Sequence, residues 1–241
     1  MEILPLKSRL IKPKDNLLEI FEESLKNKKK QVKNNDIWVI TSKVISLSEN
    51  RIVKATLDKE KIKIIKEESD VWLGGKPYGF TIKNGILIPR AGIDESNSKQ
   101  NELILWPLNS WKTAQILRKK VKKRFGIQNF GIVITDSTCR PLRHGVSNIA
   151  LAWSGFEGVS DERGKLDLFG QPLEVTHRAI ADSLAAAAGI LTGEAAESIP
   201  FVLIRQSGVK FTERTIKPPQ FQPKDCLFAS IYPSKFRNLK I

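Results

Sequence analysis

Histidine and cysteine are scarce in this chain, two of each in 241 residues. Cys139 and Cys226 are too far apart for a C-x-x-C metal or redox motif, and neither a disulfide framework nor an oxidising compartment is implied. His144 and His177 cannot furnish a histidine-rich zinc site, so any metal is expected to be hard and bound by oxygen. Long apolar runs are missing as well: residues 131–135 and 199–204 are strand-sized, well short of the roughly 20 residues a membrane helix needs. Charges at Glu2, Lys7 and Arg9 are followed by no extended apolar block, so no signal peptide is expected and the cytoplasm is the expected location. There is no G-x-x-x-x-G-K-[ST], no G-x-G-x-x-G after a strand, no H-E-x-x-H and no G-x-S-x-G. Aromatic residues make up only 7% of the chain. None interleaves with the lysine runs at 26–33 and 119–124, so the stacking platforms that single-stranded nucleic acid requires are absent there.

What is abundant is positive charge, a formal +14 with a pI near 9.8. Without interleaved aromatics the charge is read as a solvated, attractive field that concentrates anions such as nucleoside triphosphates or polycarboxylates, and a nucleic-acid partner is not expected. Apolar periodicity predicts a helix over 16–30 with Asp15 as its cap, a strand over 37–40, a helix from Val44 and a strand over 51–55. Residues 59–72 read as a helix broken by Gly74-Gly75-Lys76-Pro77. Strands over 80–82 and 86–89 flank Asn84-Gly85, a strong hairpin signal. A polar loop over 91–97 precedes a strand at 103–106, a basic helix over 111–125 and strands at 131–135 and 150–154. An alanine-rich helix is expected over 174–191 and a strand over 201–205. Strands and helices mix without clean alternation, which indicates an α+β fold of mixed, largely antiparallel sheets with packed helices. One domain over 1–215 with a proline-containing tail over 216–241 packed on it is the expected organisation.

Chemistry concentrates between residues 135 and 205. Asp94 lies in a polar loop, Asp136 follows an apolar strand and Glu194 follows the alanine-rich helix; acids on separate segments suit magnesium, which completes its shell with water and phosphate oxygens. The alternative for Asp94 and Asp136 is a turn or cap role. Arg140 and Arg143 offer planar forks to a carboxylate or phosphate, or else surface ion pairs to Glu157, Asp161 or Glu162. Ser42 and Lys43 either donate to phosphates or simply open a helix. Asp161, Gly164, Asp167 and Gly170 read as consecutive turns. The run Ala185-Ala186-Ala187-Ala188-Gly189 reads as close packing against a sheet or a partner helix.

Taken together, these segments resemble the coenzyme F-420-0:L-glutamate ligase family. The resemblance is carried by Thr41-Ser42-Lys43-Val44-Ile45-Ser46, Ala91-Gly92-Ile93-Asp94-Glu95-Ser96-Asn97, Ile134-Thr135-Asp136-Ser137, Arg140-Pro141-Leu142-Arg143-His144-Gly145, the Asp161 to Gly170 block, Glu174-Val175-Thr176, Ala181-Asp182-Ser183-Leu184-Ala185-Ala186 and Ile199-Pro200. It implies a GTP-dependent amide ligase that uses two divalent ions, Mg²⁺ or Mn²⁺, to add L-glutamate to an anionic carboxylate acceptor, in a homodimer with a mixed α/β fold of its own. Position by position it implies metal ligands at Asp94 and Asp136, a second ion near Ser137 and Glu194, and a nucleotide contact at Asn97. Ser42, the Leu10-Ile11 segment and residues 191–198, which include Gly193, would line the nucleotide pocket. Leu47, Gln206 and Ala150-Leu151-Ala152 depart from the family pattern. They leave a folate-type or peptide carboxylate open as the acceptor, and a catalytically silent nucleotide-binding relative stands as the other alternative.

Overall fold

The computed structural model describes residues 1–75, 79–214, 222–231 and Phe236. From its start the chain forms β1 (Glu2–Leu6), α1 (Leu17–Asn27), β2 (Asp36–Thr41) and α2 (Ser42–Ser48). It continues through β3 (Ile52–Lys54), α3 (Asp58–Glu68), β4 (Val71–Gly74), β5 (Phe80–Lys83), β6 (Ile86–Pro89) and β7 (Glu102–Ile104). Then come α4 (Ser110–Phe125), β8 (Phe130–Cys139), β9 (Val146–Ser154), β10 (Val159–Asp161), β11 (His177–Ala179), α5 (Ile180–Thr192) and β12 (Phe201–Arg205). These fall into two compact units, one from residues 1–51 and 107–214, the other from 52–75, 79–106 and the described C-terminal residues. Lys76 and Pro77, and most of the tail expected over 216–241, lie outside the described residues.

The first unit is built on a five-stranded sheet ordered β1-β12-β2-β8-β9. Only β2 and β8 run parallel in it, so the sheet is mixed and mainly antiparallel, as the α+β expectation required. Side chains alternate across the sheet. On one face Ile37, Val39, Val133, Val202 and Ile204 meet Ala181, Leu184, Ala185 and Ala188 of α5. The small side chains of α5 thus pack against a sheet. On the other face Phe21 of α1 stacks on Trp38 with ring centroids 3.9 Å apart, and Phe201 meets Trp38 edge-on at 5.2 Å. At one end of this sheet Arg205 donates to Asp36 at 3.0 and 3.2 Å, and burial pushes the Asp36 carboxyl up against the pull of that guanidinium.

In the second unit β4, β5 and β6 form a small antiparallel sheet, and β3 pairs with β7. Its core joins Ala55, Ile65, Ala91, Ile93, Leu103 and Leu105. The β5–β6 hairpin turns through Asn84 and Gly85, both at positive φ (52° and 75°), the conformation that this dipeptide favours.

Several boundaries differ from expectation for local reasons. The cap of α1 is Asn16, whose Oδ1 accepts from Leu18 N at 3.2 Å; Asp15 is engaged instead with Lys12 N and Arg9. Residues 59–72 do not form one helix, because α3 stops at Glu68 and the β-branched and aromatic run Val71-Trp72 pairs with β5. The alanine-rich helix begins at Ile180 and not at Glu174: Thr176 O accepts from Glu162 N, and His177–Ala179 pair with β10. Residues 159–179 are therefore a hairpin-like arm, with the expected turns as its irregular tip. There Gly164 N donates to Leu173 O and Gly170 N to Asp167 O. Leu166, Leu168, Phe169 and Val175 on this arm are 68 to 99% exposed.

Candidate active site

Register across the first unit's sheet runs Leu6, Phe201, Ile40, Ile134, Ala152. Just beyond this row, at one end of the sheet, lie most of the residues singled out from the sequence. The chain leaves β1 towards Leu10 and Ile11, and Ser8 N donates to Ser198 O at 3.0 Å, which ties that segment to the loop after α5. Thr41 N donates to Pro200 O at 3.1 Å, so the β2–α2 junction with Ser42 and Lys43 abuts the same loop. Leu10 is exposed, Ile11 and Ser42 are buried and Lys43 is half-buried.

β8 does not end at Asp136, as expected, but continues to Cys139 in a ladder with β9 that pairs Asp136 with Ile149 and Ser137 with Asn148. Asp136 is thus neither a turn nor a cap residue. Strand alternation places Asp136 and Ser137 on opposite faces. Ser137 lies on the α5 face, where its hydroxyl donates to Glu194 Oε2 at 3.3 Å. Asn148 beside it fills the space left by Gly189, where an added Cβ would sit 2.4 Å from the Asn148 amide oxygen.

Glu194 reaches β8 because α5 ends sharply. Gly193 takes φ 66°, and a Cβ there would lie 2.1 Å from the Glu197 carboxylate, which in turn accepts from Ala195 N at 2.9 Å. Glu197 thus orders the turn that carries Glu194, a role not read from the sequence. Asp182 is the other omission. Ile134 pairs with Ala152 but Thr135 with Ala150, so Leu151 is an extra residue in β9 immediately before the Asp136 row. Such bulges redirect side chains and leave ladder groups unpaired. Asp182 Oδ1 accepts from Ala150 N at 2.8 Å and Thr135 Oγ1 donates to Ile149 O at 2.9 Å, holding the bulge in place. Asp182→Ala is expected to destabilise the protein by about 1–2 kcal/mol through the stranded Ala150 amide, with Asp182→Asn close to wild type. Urea denaturation checks this, and an alanine variant as stable as the parent would remove the assigned role.

Arg140 and Arg143 lie in the exposed turn between β8 and β9, where Arg143 N donates to Arg140 O. The acids considered as their surface partners are engaged elsewhere: Glu157 with Lys210, Asp161 with Arg163, and Glu162 with Lys165 and Arg178. Those pairs hold the Asp161 and Glu162 carboxyls well below the usual carboxylate range, chiefly through hydrogen bonds from Arg163 and Lys165.

Asp94 and Asn97 belong to the second unit. Arg90, Ala91 and Gly92 take φ of 57°, 54° and 72° in succession, a strained turn fixed by Ala91 N donating to Thr81 Oγ1 and by Trp106 occupying the space beside Gly92. Asp94 then bridges Ile104, and its carboxylate accepts from Ser96 N at 2.7 Å and from Ser96 Oγ at 3.1 Å. Glu95 is held by Lys61 and Arg90. Asn97 is exposed at φ 53°.

Among the described residues no three histidine, cysteine, aspartate or glutamate side chains gather closely enough to hold an ion by themselves. The Ser137–Glu194 oxygen pair nevertheless fits a hard cation. Neighbouring oxygens in an octahedral magnesium shell lie about 3 Å apart, and the Glu194 carboxylate is of the preferred kind.

Residues 5–206 match the sequence model of the family described as F420-0:Gamma-glutamyl ligase. A protein of Methanococcus maripaludis called Coenzyme F420:L-glutamate ligase is 37% identical over 76% of this chain and 80% of its own. Proteins of that same name from Methanocaldococcus jannaschii and Archaeoglobus fulgidus are 35% and 33% identical, over 75% and 85% of this chain and 79% and 87% of their own. With the family match spanning most of the sequence, from β1 to the end of β12, the protein belongs to the F420-0:Gamma-glutamyl ligase family.

Proposed function

We propose that this ligase joins L-glutamate to a carboxylate of a coenzyme F420-0-like acceptor in the cytoplasm, with GTP as co-substrate. Support comes from the names of its relatives and from one observation above the rest: Leu10-Ile11, Ser42-Lys43, Asp136-Ser137 and Gly193-Glu194, distant in sequence, share one end of a sheet.

A carboxylate is a poor electrophile, so the acceptor oxygen attacks the γ-phosphorus of GTP and GDP leaves. The glutamate nitrogen then attacks the acyl carbon of the resulting acyl phosphate, phosphate departs, and the nitrogen loses a proton. Phosphoryl transfer asks a protein chiefly for positioning and charge neutralisation. Ser137 and Glu194 would hold one divalent ion, Mg²⁺ or Mn²⁺; Asp136 on the other face of β8 is a proposed metal ligand of the first unit, and Asp94 in its own loop is a proposed metal ligand of the second unit. When bound, such ions neutralise the charge of the phosphates. Leu10, Ile11, Ser42, Lys43 and Gly193 are the proposed nucleotide contacts of the first unit, and Asn97 is a proposed nucleotide contact of the second. Arg140 and Arg143, exposed and outside any ion pair among the described residues, offset the acceptor's negative charge.

The test is incubation with GTP, Mn²⁺ and L-glutamate against a panel of acceptors, the deazaflavin first, followed by mass spectrometry. The expected product is the acceptor heavier by one glutamyl unit, with GDP and phosphate released only when both partners are present. GDP release that ignores glutamate would overturn the reading. A homodimer is part of the proposal, supported by the exposed apolar side chains of the 159–179 arm. Light scattering that gave the mass of a single chain would remove that part alone.

A further inference from the structure

A second cationic site lies far from the one just described. Arg118 of α4 is only 6% exposed, and its Nε donates to Phe130 O at 2.8 Å. The guanidinium passes over Gly155, where a Cβ would lie 2.4 Å from Nε and 2.2 Å from the Phe130 carbonyl. Its remaining fork faces a cleft of about 340 Å³ lined by Gln115, Arg118, Lys119, Lys122, Ser154 and Glu213. Phe130 and Asp136 stand six positions apart on β8, so the cleft is about 20 Å from the Asp136 row.

The fork is already used for carboxylate recognition. Arg118 Nη1 and Nη2 donate to the two oxygens of Glu213 at 3.0 and 2.6 Å, and Lys122 Nζ donates to one of them at 2.8 Å. Glu213 itself is unlike a core partner, since its side chain is 67% exposed. Hydrogen bonds from Arg118 and then Lys122 hold its carboxyl down at about 2, so it is charged throughout the working range of pH. It arrives on a strap of chain held by Thr212 N donating to Gly155 O and Glu157 N to Lys210 O. The cleft therefore joins a rigid, buried arginine, two lysines and an amide around a single exposed carboxylate, and it keeps a surplus of positive charge.

We propose that this cleft is a binding site for small polycarboxylates, and that Glu213 is a built-in competitor occupying its arginine fork. A free ligand places one carboxylate on the Arg118 fork in place of Glu213 and others against Lys119, Lys122 and Gln115. Bidentate guanidinium–carboxylate pairing gives the geometric preference for this class of anion.

Citrate titrated calorimetrically into the full chain, at constant ionic strength set with chloride, tests the assignment. Glu213→Gln removes the competing charge, and citrate is expected to bind that variant about tenfold more tightly than the parent. Adding Lys122→Gln is expected to abolish the gain, while Lys29→Gln on the distant lysine run leaves it unchanged. Equal affinities in the parent and Glu213→Gln overturn the proposal. If Glu213→Gln does not fold, the parent decides: citrate binding that Lys119→Gln and Lys122→Gln leave untouched, or no citrate binding at all, overturns it equally.

Discussion

Asp136→Asn is expected to abolish glutamyl transfer while leaving the fold intact. The residue is half-buried inside a strand, paired in register with Ile149, and asparagine has the same shape. What changes is charge. An amide binds a hard cation far less well than a carboxylate and cannot offset it, so turnover should fall by at least about a hundredfold. GDP release in the presence of glutamate and acceptor measures the loss, and circular dichroism with a urea midpoint checks the fold. Near-normal turnover in this variant would show that Asp136 is not a metal ligand.

Trp38→Ala is expected to be the most destabilising single change in the first unit, by about 3–5 kcal/mol. Trp38 is fully buried between Phe21 and Phe201, and its indole nitrogen has no hydrogen-bond partner among the described residues. Its contribution is therefore packing alone, and Trp38→Phe should recover much of it. The consequence reaches function, because Trp38 anchors the strand that ends at Thr41 and delivers Ser42 and Lys43. A urea midpoint for Trp38→Ala within the error of the parent's would refute the packing account.

The sequence announced elements whose signals are local. The apolar run of β2, the Asn84-Gly85 hairpin and the basic helix α4 each carry their own periodicity or turn chemistry, and each stands where expected within a residue or two. It misled where tertiary pairing decides. Residues 174–176 continue a helical-looking run into the alanines, yet the Thr176 carbonyl accepts from Glu162 N on the other limb of the arm. Asp136 reads as a strand end because polar residues follow it, whereas β8 continues as a half-exposed ladder whose polar side chains include the candidate ligands Asp136 and Ser137. Within the site, Gly193 and Glu194 were legible from the helix stop. Asp182 and Glu197 were not, nor was Glu213 in the separate Arg118 cleft, since a carboxylate that serves one backbone amide or one guanidinium looks in sequence like any surface acid. Spacing could not reveal either that Asp94 belongs to a different unit from Asp136.

The order of strands in the first unit's sheet constrains how the molecule is made. β1 is made before every other strand of this sheet, and among the described residues it pairs only with β12, with Glu2 opposite Arg205. At about 5–20 residues per second, β1 waits on the order of ten to forty seconds for that neighbour to be synthesised. Because β12 also separates β1 from β2, the nascent sheet cannot close earlier by another route. Completion of this sheet therefore waits for β12, and until then the half-made chain displays open strand edges.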